Sequence, residues 1–103
     1  MADKVLVAPV DDFGESSWKT VFVQNTDIAV FNIGGEFFAI EDVCTHDGGQ
    51  LTGGEVDGDE VICPRHGARF CVKDGEALTA PAFEDVDTYE TVVDDGNVYV
   101  MVE

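Results

Sequence analysis

The stretches Cys44-Thr45-His46 and Cys63-Pro64-Arg65-His66 decide how the rest of this chain is interpreted. Together they contain both histidines and two of the three cysteines in a sequence of 103 residues. They form a C-x-H motif and a C-x-x-H motif, separated by residues 47–62. Zinc and iron–sulfur clusters both accept thiolate sulfur and imidazole nitrogen as ligands. The two stretches therefore predict one four-ligand metal site built from two loops.

The distribution of the ligands between the two loops separates these metals. Zinc fingers pair two cysteines in one short loop and two histidines in another, whereas here each loop supplies one cysteine and one histidine. Mixed loops suit a [2Fe-2S] cluster in which two histidines replace two cysteines on one iron. The pattern favours this cluster, with a structural zinc as the alternative.

The composition predicts one folded domain over residues 1–103. The hydrophobic fraction of 45% excludes the signature of disorder, although 22 acidic residues face only five basic ones. A net charge of -17 opposes binding to nucleic acid or to an anionic lipid surface. The sequence has no apolar run long enough to cross a membrane, and its first residues lack the features of a signal peptide. We therefore expect a cytoplasmic protein with no nucleic-acid or membrane partner.

Short runs of β-branched and aromatic residues, separated by turn residues, indicate the fold class. No stretch has the apolar periodicity of a helix, and the best helical candidate, residues 11–18, is short and polar. The glycine-rich residues 47–58 are predicted to be a loop. We predict an all-β fold of small antiparallel sheets packed as a sandwich, with a barrel as the alternative. The predicted strands are residues 4–9, 19–24, 27–33, 36–40, 60–62, 69–72, 88–93 and 98–102.

With these features in place, the sequence resembles the Rieske iron–sulfur proteins, whose signature is this pair of motifs. The resemblance extends to the glycines that follow His46, to the His66-Gly67 pair, to the Asp74-Gly75 turn and to the segment around Pro81. It covers most of the chain. It implies the Rieske fold, with the cluster held by two loops at one tip.

The resemblance also implies a role for each ligand. Cys44 and Cys63 would hold the inner iron through their sulfurs. His46 and His66 would hold the outer iron near the surface, where their rings form the exit for an electron. Residues 78–82 would form the loop that covers the cluster.

Departures from the family's pattern indicate the branch to which the chain belongs. Respiratory members carry an extra cysteine in each loop, and the matching positions here are Gly49 and Arg65, so no bridging disulfide can form. High-potential members also place a serine and a tyrosine hydroxyl near the cluster, where this chain has Ala68 and Phe70. Because hydrogen bonds to the sulfurs stabilise the reduced cluster, their loss predicts a midpoint in the lower part of the roughly -150 to +300 mV Rieske range.

Among Rieske proteins, the chain most resembles the small ferredoxins of bacterial aromatic-ring-hydroxylating oxygenase systems. That resemblance implies a monomeric one-electron carrier that meets a flavoprotein ferredoxin reductase and a terminal oxygenase transiently and catalyses no reaction itself. Two alternatives stay open from the sequence. One is a small Rieske subunit of an enzyme complex such as assimilatory nitrite reductase, and the other is a structural zinc module.

Residues outside the two motifs receive weaker interpretations. Cys71 follows a strand residue and is expected to be a small buried side chain without a function. Arg65, Arg69 and Lys73 provide three of the five basic charges. They form either a solvated strand face or a patch that tempers the acidic field and orients partners. The acidic excess elsewhere suits a solvated surface, steering toward a basic partner or a high-salt cytoplasm.

Overall fold

The computed structural model of the chain describes residues 3–14, 17–45, 48–64, 67–80 and 84–102. Within these ranges the regular structure is ten strands and one 3-10 turn at Val10–Asp12, which confirms the all-β prediction. The same ranges contain no helix of the length and apolarity that a membrane crossing requires. The strands are β1 (Asp3–Pro9), β2 (Trp18–Val23), β3 (Thr26–Ile33), β4 (Glu36–Glu41), β5 (Val56–Asp57), β6 (Glu60–Ile62), β7 (Arg69–Cys71), β8 (Thr88–Tyr89), β9 (Thr91–Asp94) and β10 (Asn97–Val102).

The strands form three antiparallel sheets. The outer sheet has the order β1-β10-β9, the central sheet β2-β3-β4-β8 and the small sheet β5-β6-β7. Two-residue turns connect β2 to β3 and β9 to β10. Gln24 and Asn25 between β2 and β3 both have positive φ, as do Asp95 and Gly96 between β9 and β10. Such turns match the twist of the strands that they join, which fixes the pairing register.

Strand β3 of the central sheet is buried on both faces. Along β3, Ile28 and Val30 pack toward the outer sheet, whereas Ala29 and Phe31 pack toward the small sheet. Successive side chains of a strand point to opposite faces, so one strand contributes to two cores. The core on the small-sheet side also contains Cys44 and Cys63.

The predicted strand over residues 88–93 is wrong in one respect, because two strands in different sheets share this stretch. Thr88 and Tyr89 pair with β4 in the central sheet, whereas β9 pairs with β10 in the outer sheet. Glu90 lies at the crossing, and its carbonyl accepts a hydrogen bond from the Met101 amide at 2.9 Å. A continuous run of strand-forming residues does not reveal a change of sheet.

The predicted loop over residues 47–58 is also partly wrong, because its last residues form β5. Val56 pairs with Val61 and Asp57 with Glu60, around a turn in which Gly58 has a φ of +62°. An Asp-Gly pair before a strand is a recognised hairpin signal. The sequence therefore carried the information, but the surrounding glycines obscured it.

Candidate metal centre

The first ligand loop leaves the end of β4 and closes on itself. The amide of Cys44 donates to the Gly49 carbonyl at 2.7 Å, and the amide of Gly48 donates to the Cys44 carbonyl at 2.7 Å. Gly48 has a φ of +76°, which side chains with a Cβ rarely adopt. Cys44 is fully buried at the base of this loop. Backbone bonds and one glycine therefore fix where its thiol lies.

The second ligand loop repeats this arrangement after β6. The amide of Cys63 donates to the Ala68 carbonyl at 2.7 Å, and the amide of Gly67 donates to the Cys63 carbonyl at 3.1 Å. Gly67 has a φ of +75°, and Cys63 is buried. Each loop thus begins with a buried cysteine and turns at a glycine four residues later.

The predicted histidine ligands lie inside these two loops by their sequence position. His46 and His66, together with Arg65, fall outside the described residues. The described half of the predicted ligand set is therefore the cysteine pair, which belongs to one buried core.

A third loop has the same backbone geometry but no histidine. The amide of Cys71 donates to the Glu76 carbonyl at 2.9 Å, and the amide of Gly75, with a φ of +77°, donates to the Cys71 carbonyl at 2.8 Å. Burial raises the pKa of the Cys71 thiol. A raised pKa keeps the sulfur protonated at neutral pH and disfavours nucleophilic reactions. The side chain is only partly buried, not fully buried as predicted.

Asp42 is a site residue that the sequence reasoning missed. It lies two positions before Cys44, is 4% exposed, and accepts hydrogen bonds from the amides of Leu51 and Thr52 at 2.8 and 2.9 Å. The Thr52 hydroxyl donates to its other oxygen at 2.7 Å. The signal available in the sequence was an acidic residue directly after a strand of apolar residues. Its burial becomes visible only when residues 51–55 fold back over it.

Residues 51–55, which we call the strap, follow the first ligand loop and are hydrogen-bonded to the chain next to both loops. One end is held by Asp42, before the first loop. At the other end the amide of Ile62 donates to the Glu55 carbonyl at 2.9 Å, directly before Cys63. Gly54 packs so closely on the Ile62 carbonyl that an added Cβ would overlap it. The strap therefore sets the spacing between the two cysteine loops.

The described residues at the start of the predicted covering segment, and those that flank it, are held by hydrogen bonds. The Leu78 amide donates to the Arg69 carbonyl at 2.8 Å, and the Ala77 amide donates to the Asp85 carboxylate at 2.9 Å. The Thr45 hydroxyl of the first ligand loop donates to the Glu84 carbonyl at 2.6 Å. Pro81 and its two following neighbours lie outside the described residues. The described ends of the segment thus contact both β7 and the first ligand loop.

The two described basic residues near the second loop, Arg69 and Lys73, have different contacts. Arg69 forms ion pairs with Asp57 and Glu60 at 3.1 and 3.2 Å, so its charge is balanced within the small sheet. The ammonium of Lys73 lies 5.7 Å from the centroid of the Phe38 ring, which is a cation–π distance. Of the described pair, Lys73 retains the greater capacity to attract an acidic partner.

The chain belongs to the Rieske [2Fe-2S] domain family, whose sequence pattern matches residues 3–90. It is 43% identical over 77 residues to the 3-phenylpropionate/cinnamic acid dioxygenase ferredoxin subunit of Photorhabdus laumondii, covering 74% of this chain and 73% of that protein. The ferredoxin subunit of the same name from Shigella flexneri serotype 5b is 35% identical over 95% of this chain and 92% of its own length. Both relatives are named as ferredoxin subunits of a dioxygenase.

Solved structures agree with this membership. A chain from the complex of reduced oxygenase and oxidized ferredoxin in carbazole 1,9a-dioxygenase superposes with a TM-score of 0.90 at 34% identity, covering 94% of this chain and 91% of that one. A protein given as the small subunit of an NADPH nitrite reductase superposes with a TM-score of 0.78 at 23% identity, over 97% and 99% of the two chains. At that identity the second likeness shows the fold alone.

The described residues fit the cluster that this family binds. Two buried thiols at the bases of matching loops supply the sulfur donors, and the remaining positions of those loops include the two histidines. Thiolate is the ligand type that all iron–sulfur clusters use. The prediction of a Rieske-type [2Fe-2S] cluster is confirmed over the zinc alternative by the family membership.

Proposed function

We propose that this chain carries single electrons from a flavoprotein ferredoxin reductase to the terminal oxygenase of a ring-hydroxylating dioxygenase. The observation that carries the proposal is the pair of matching loops, each with a buried cysteine, in a chain related to dioxygenase ferredoxins over 95% of its length. When bound, the cluster accepts and releases one electron. The carrier acts as a cytoplasmic monomer that contacts each partner transiently.

In this proposal Cys44, Cys63, His46 and His66 hold the cluster. The hydrogen-bonded bases of the two loops support the cysteine assignment, since they hold both sulfurs in one core. The histidine assignment rests on the motif, which places one histidine before the glycine of each loop. Cys44 and Cys63 would supply sulfur ligands from the buried core. His46 and His66 would supply nitrogen ligands, through which the electron would leave.

A reconstituted system tests the carrier role. Reduced nicotinamide cofactor, a candidate reductase, a candidate oxygenase and its aromatic substrate are combined with and without the cluster-loaded chain. We expect product formation to depend on the chain and to rise with its concentration until the oxygenase saturates. Equal rates with and without the chain would rule out the carrier role for that pair of enzymes.

We predict a midpoint potential below about +100 mV, in the lower part of the range for Rieske clusters. Ala68 and Phe70 are fully buried in the core that contains Cys44 and Cys63, and neither offers a hydroxyl to a cluster sulfur. Without such donors the reduced cluster is less stabilised. Spectroelectrochemical titration of the loaded protein measures the midpoint directly, and a value above that limit would contradict the prediction.

Leu78 is predicted to contribute to the surface on which electron partners dock. Its side chain is 40% exposed, and its amide is bonded to β7 directly beyond the second ligand loop. Leu78→Glu places a charge on this apolar surface. Removing that charge from water when a partner docks costs free energy. We expect electron transfer to the oxygenase to slow by about tenfold at constant cluster content, which corresponds to a loss of about 1.4 kcal/mol in binding the partner.

Leu6→Glu is the matched control for Leu78→Glu. Leu6 lies on β1 of the outer sheet, is 54% exposed, and gains the same charge on substitution. The outer sheet packs on the opposite face of the central sheet from the core that holds the two cysteines. If both variants slowed transfer equally, the effect would be one of net charge, and Leu78 would have no special part in docking.

A further inference from the structure

We propose that the buried carboxylate of Asp42 is a positioning residue that also lowers the reduction potential of the cluster. The inference rests on the ligand assignment under the proposed function, since it places Asp42 two residues before a ligand. Neither the family pattern nor the names of the relatives assign this residue a role. The hydrogen bonds, the burial and the position of Asp42 carry the argument.

The hydrogen bonds of Asp42 show what it positions. One carboxylate oxygen accepts hydrogen bonds from the amides of Leu51 and Thr52, and the other accepts one from the Thr52 hydroxyl. The backbone amide of Asp42 donates to the Asp27 carbonyl at 2.8 Å, which ties it to β3. Asp42 therefore fixes the strap to the central sheet at the point where the first ligand loop begins.

The charge of Asp42 acts on the cluster because water does not screen it. With 4% exposure, the carboxylate has exchanged its water shell for three protein donors. Coulomb interactions between buried groups are several times stronger than those across solvent. A negative charge on Asp42, two residues before Cys44 in the chain, would oppose the arrival of an electron at a cluster bound there. The oxidised state of the cluster is thus favoured over the reduced state.

Asp42→Asn tests the electrostatic part, because it removes the charge and retains the size of the side chain. We expect the midpoint potential to rise, with the equilibrium for reduction shifting by up to about tenfold, which is ~59 mV for one electron. Glu41→Gln removes a charge from the neighbouring, partly exposed side chain and is expected to shift the midpoint less. An unchanged midpoint in Asp42→Asn, or an equal shift in both variants, would overturn the proposal.

Thr52→Val provides a test of opposite sign. It removes the hydroxyl that donates a hydrogen bond to Asp42. With one donor fewer, the negative charge of the carboxylate is less offset, so the midpoint potential should fall. A purely structural role would loosen the strap in both variants and move their midpoints in the same direction. If Asp42→Asn does not load the cluster, the Thr52→Val midpoint decides alone, and a rise or no change would overturn the proposal.

The outcomes for Asp42 are distinct from a failure of the proposed function. If the wild-type protein shows no Rieske spectrum after reconstitution, the ligand assignment itself fails. If the wild-type spectrum is present but the midpoints of the variants do not separate, only the role of Asp42 fails. Circular dichroism of each variant confirms that the sheets are intact before potentials are compared.

Discussion

Cys44→Ser and Cys63→Ser are each expected to lose nearly all of the [2Fe-2S] cluster, whereas Cys71→Ser keeps it. A serine hydroxyl does not ionise near neutral pH and is a far poorer ligand for iron than a thiolate. Cys71 lies in a loop of the same shape, but it falls outside the two ligand motifs and no histidine accompanies it. The measurements are iron and sulfide content, visible absorbance and the electron paramagnetic resonance signal of the reduced protein.

The comparison among the three cysteines separates loop shape from ligand identity. Because all three loops close through the same backbone bonds, a serine in any of them should leave those backbone hydrogen bonds in place. Retention of the full cluster in Cys44→Ser or Cys63→Ser would show that the ligand assignment is wrong. Loss of the cluster in Cys71→Ser, with circular dichroism unchanged, would show that Cys71 is needed for cluster binding and would contradict the prediction.

Gly54→Ala is expected to have the second large effect, through the spacing of the two ligand loops. The added Cβ would overlap the Ile62 carbonyl oxygen and would lie 3.0 Å from its carbon and 3.2 Å from the Leu51 carbonyl oxygen. Backbone atoms cannot rotate away, so the strap or the end of β6 must shift, and Cys63 follows Ile62 directly. We expect a loss of about 1–3 kcal/mol of unfolding free energy and a marked loss of bound cluster.

Two other glycines provide controls for Gly54→Ala. Gly58 has open space around its Cα but a φ of +62°, so Gly58→Ala should cost about 1–2 kcal/mol through the backbone alone and retain the cluster. Gly14→Ala meets only ordinary contacts at 3.9 Å and should be nearly neutral. Denaturant unfolding of the cluster-free proteins and iron content of the loaded ones measure both effects. Normal cluster content in Gly54→Ala would contradict the role given to the strap.

The sequence predicted the parts of this protein that depend on local patterns. Hairpins with two-residue turns, such as Gln24-Asn25, were predictable because turn chemistry and strand alternation are local. The ligand motifs were predictable because residue type and spacing define the metal chemistry. The split at Glu90 was not, because it depends on which of two sheets offers a free edge to each half of the run.

The supporting contacts of the site were also beyond the sequence. Nothing local to Asp42 indicates that residues nine and ten positions later will return to bond its carboxylate. Likewise, Gly54 appears as one of several loop glycines, although its neighbour is a backbone carbonyl from β6. The ion pairing of Arg69 could not be predicted for the same reason. The ion pairs of Arg69 with Asp57 and Glu60 arise from the pairing of β5, β6 and β7.

The repeated loop of Cys44, Cys63 and Cys71 bears on how the protein is made in the cell. Its shape comes from backbone hydrogen bonds and a glycine, and it also forms around Cys71, which lies outside the two ligand motifs. In zinc fingers, by contrast, the unfolded chain acquires its structure only with the metal. The newly synthesised ferredoxin should therefore fold first and present shaped thiols to the machinery that delivers iron and sulfide. Maturation then becomes a docking event between two folded proteins.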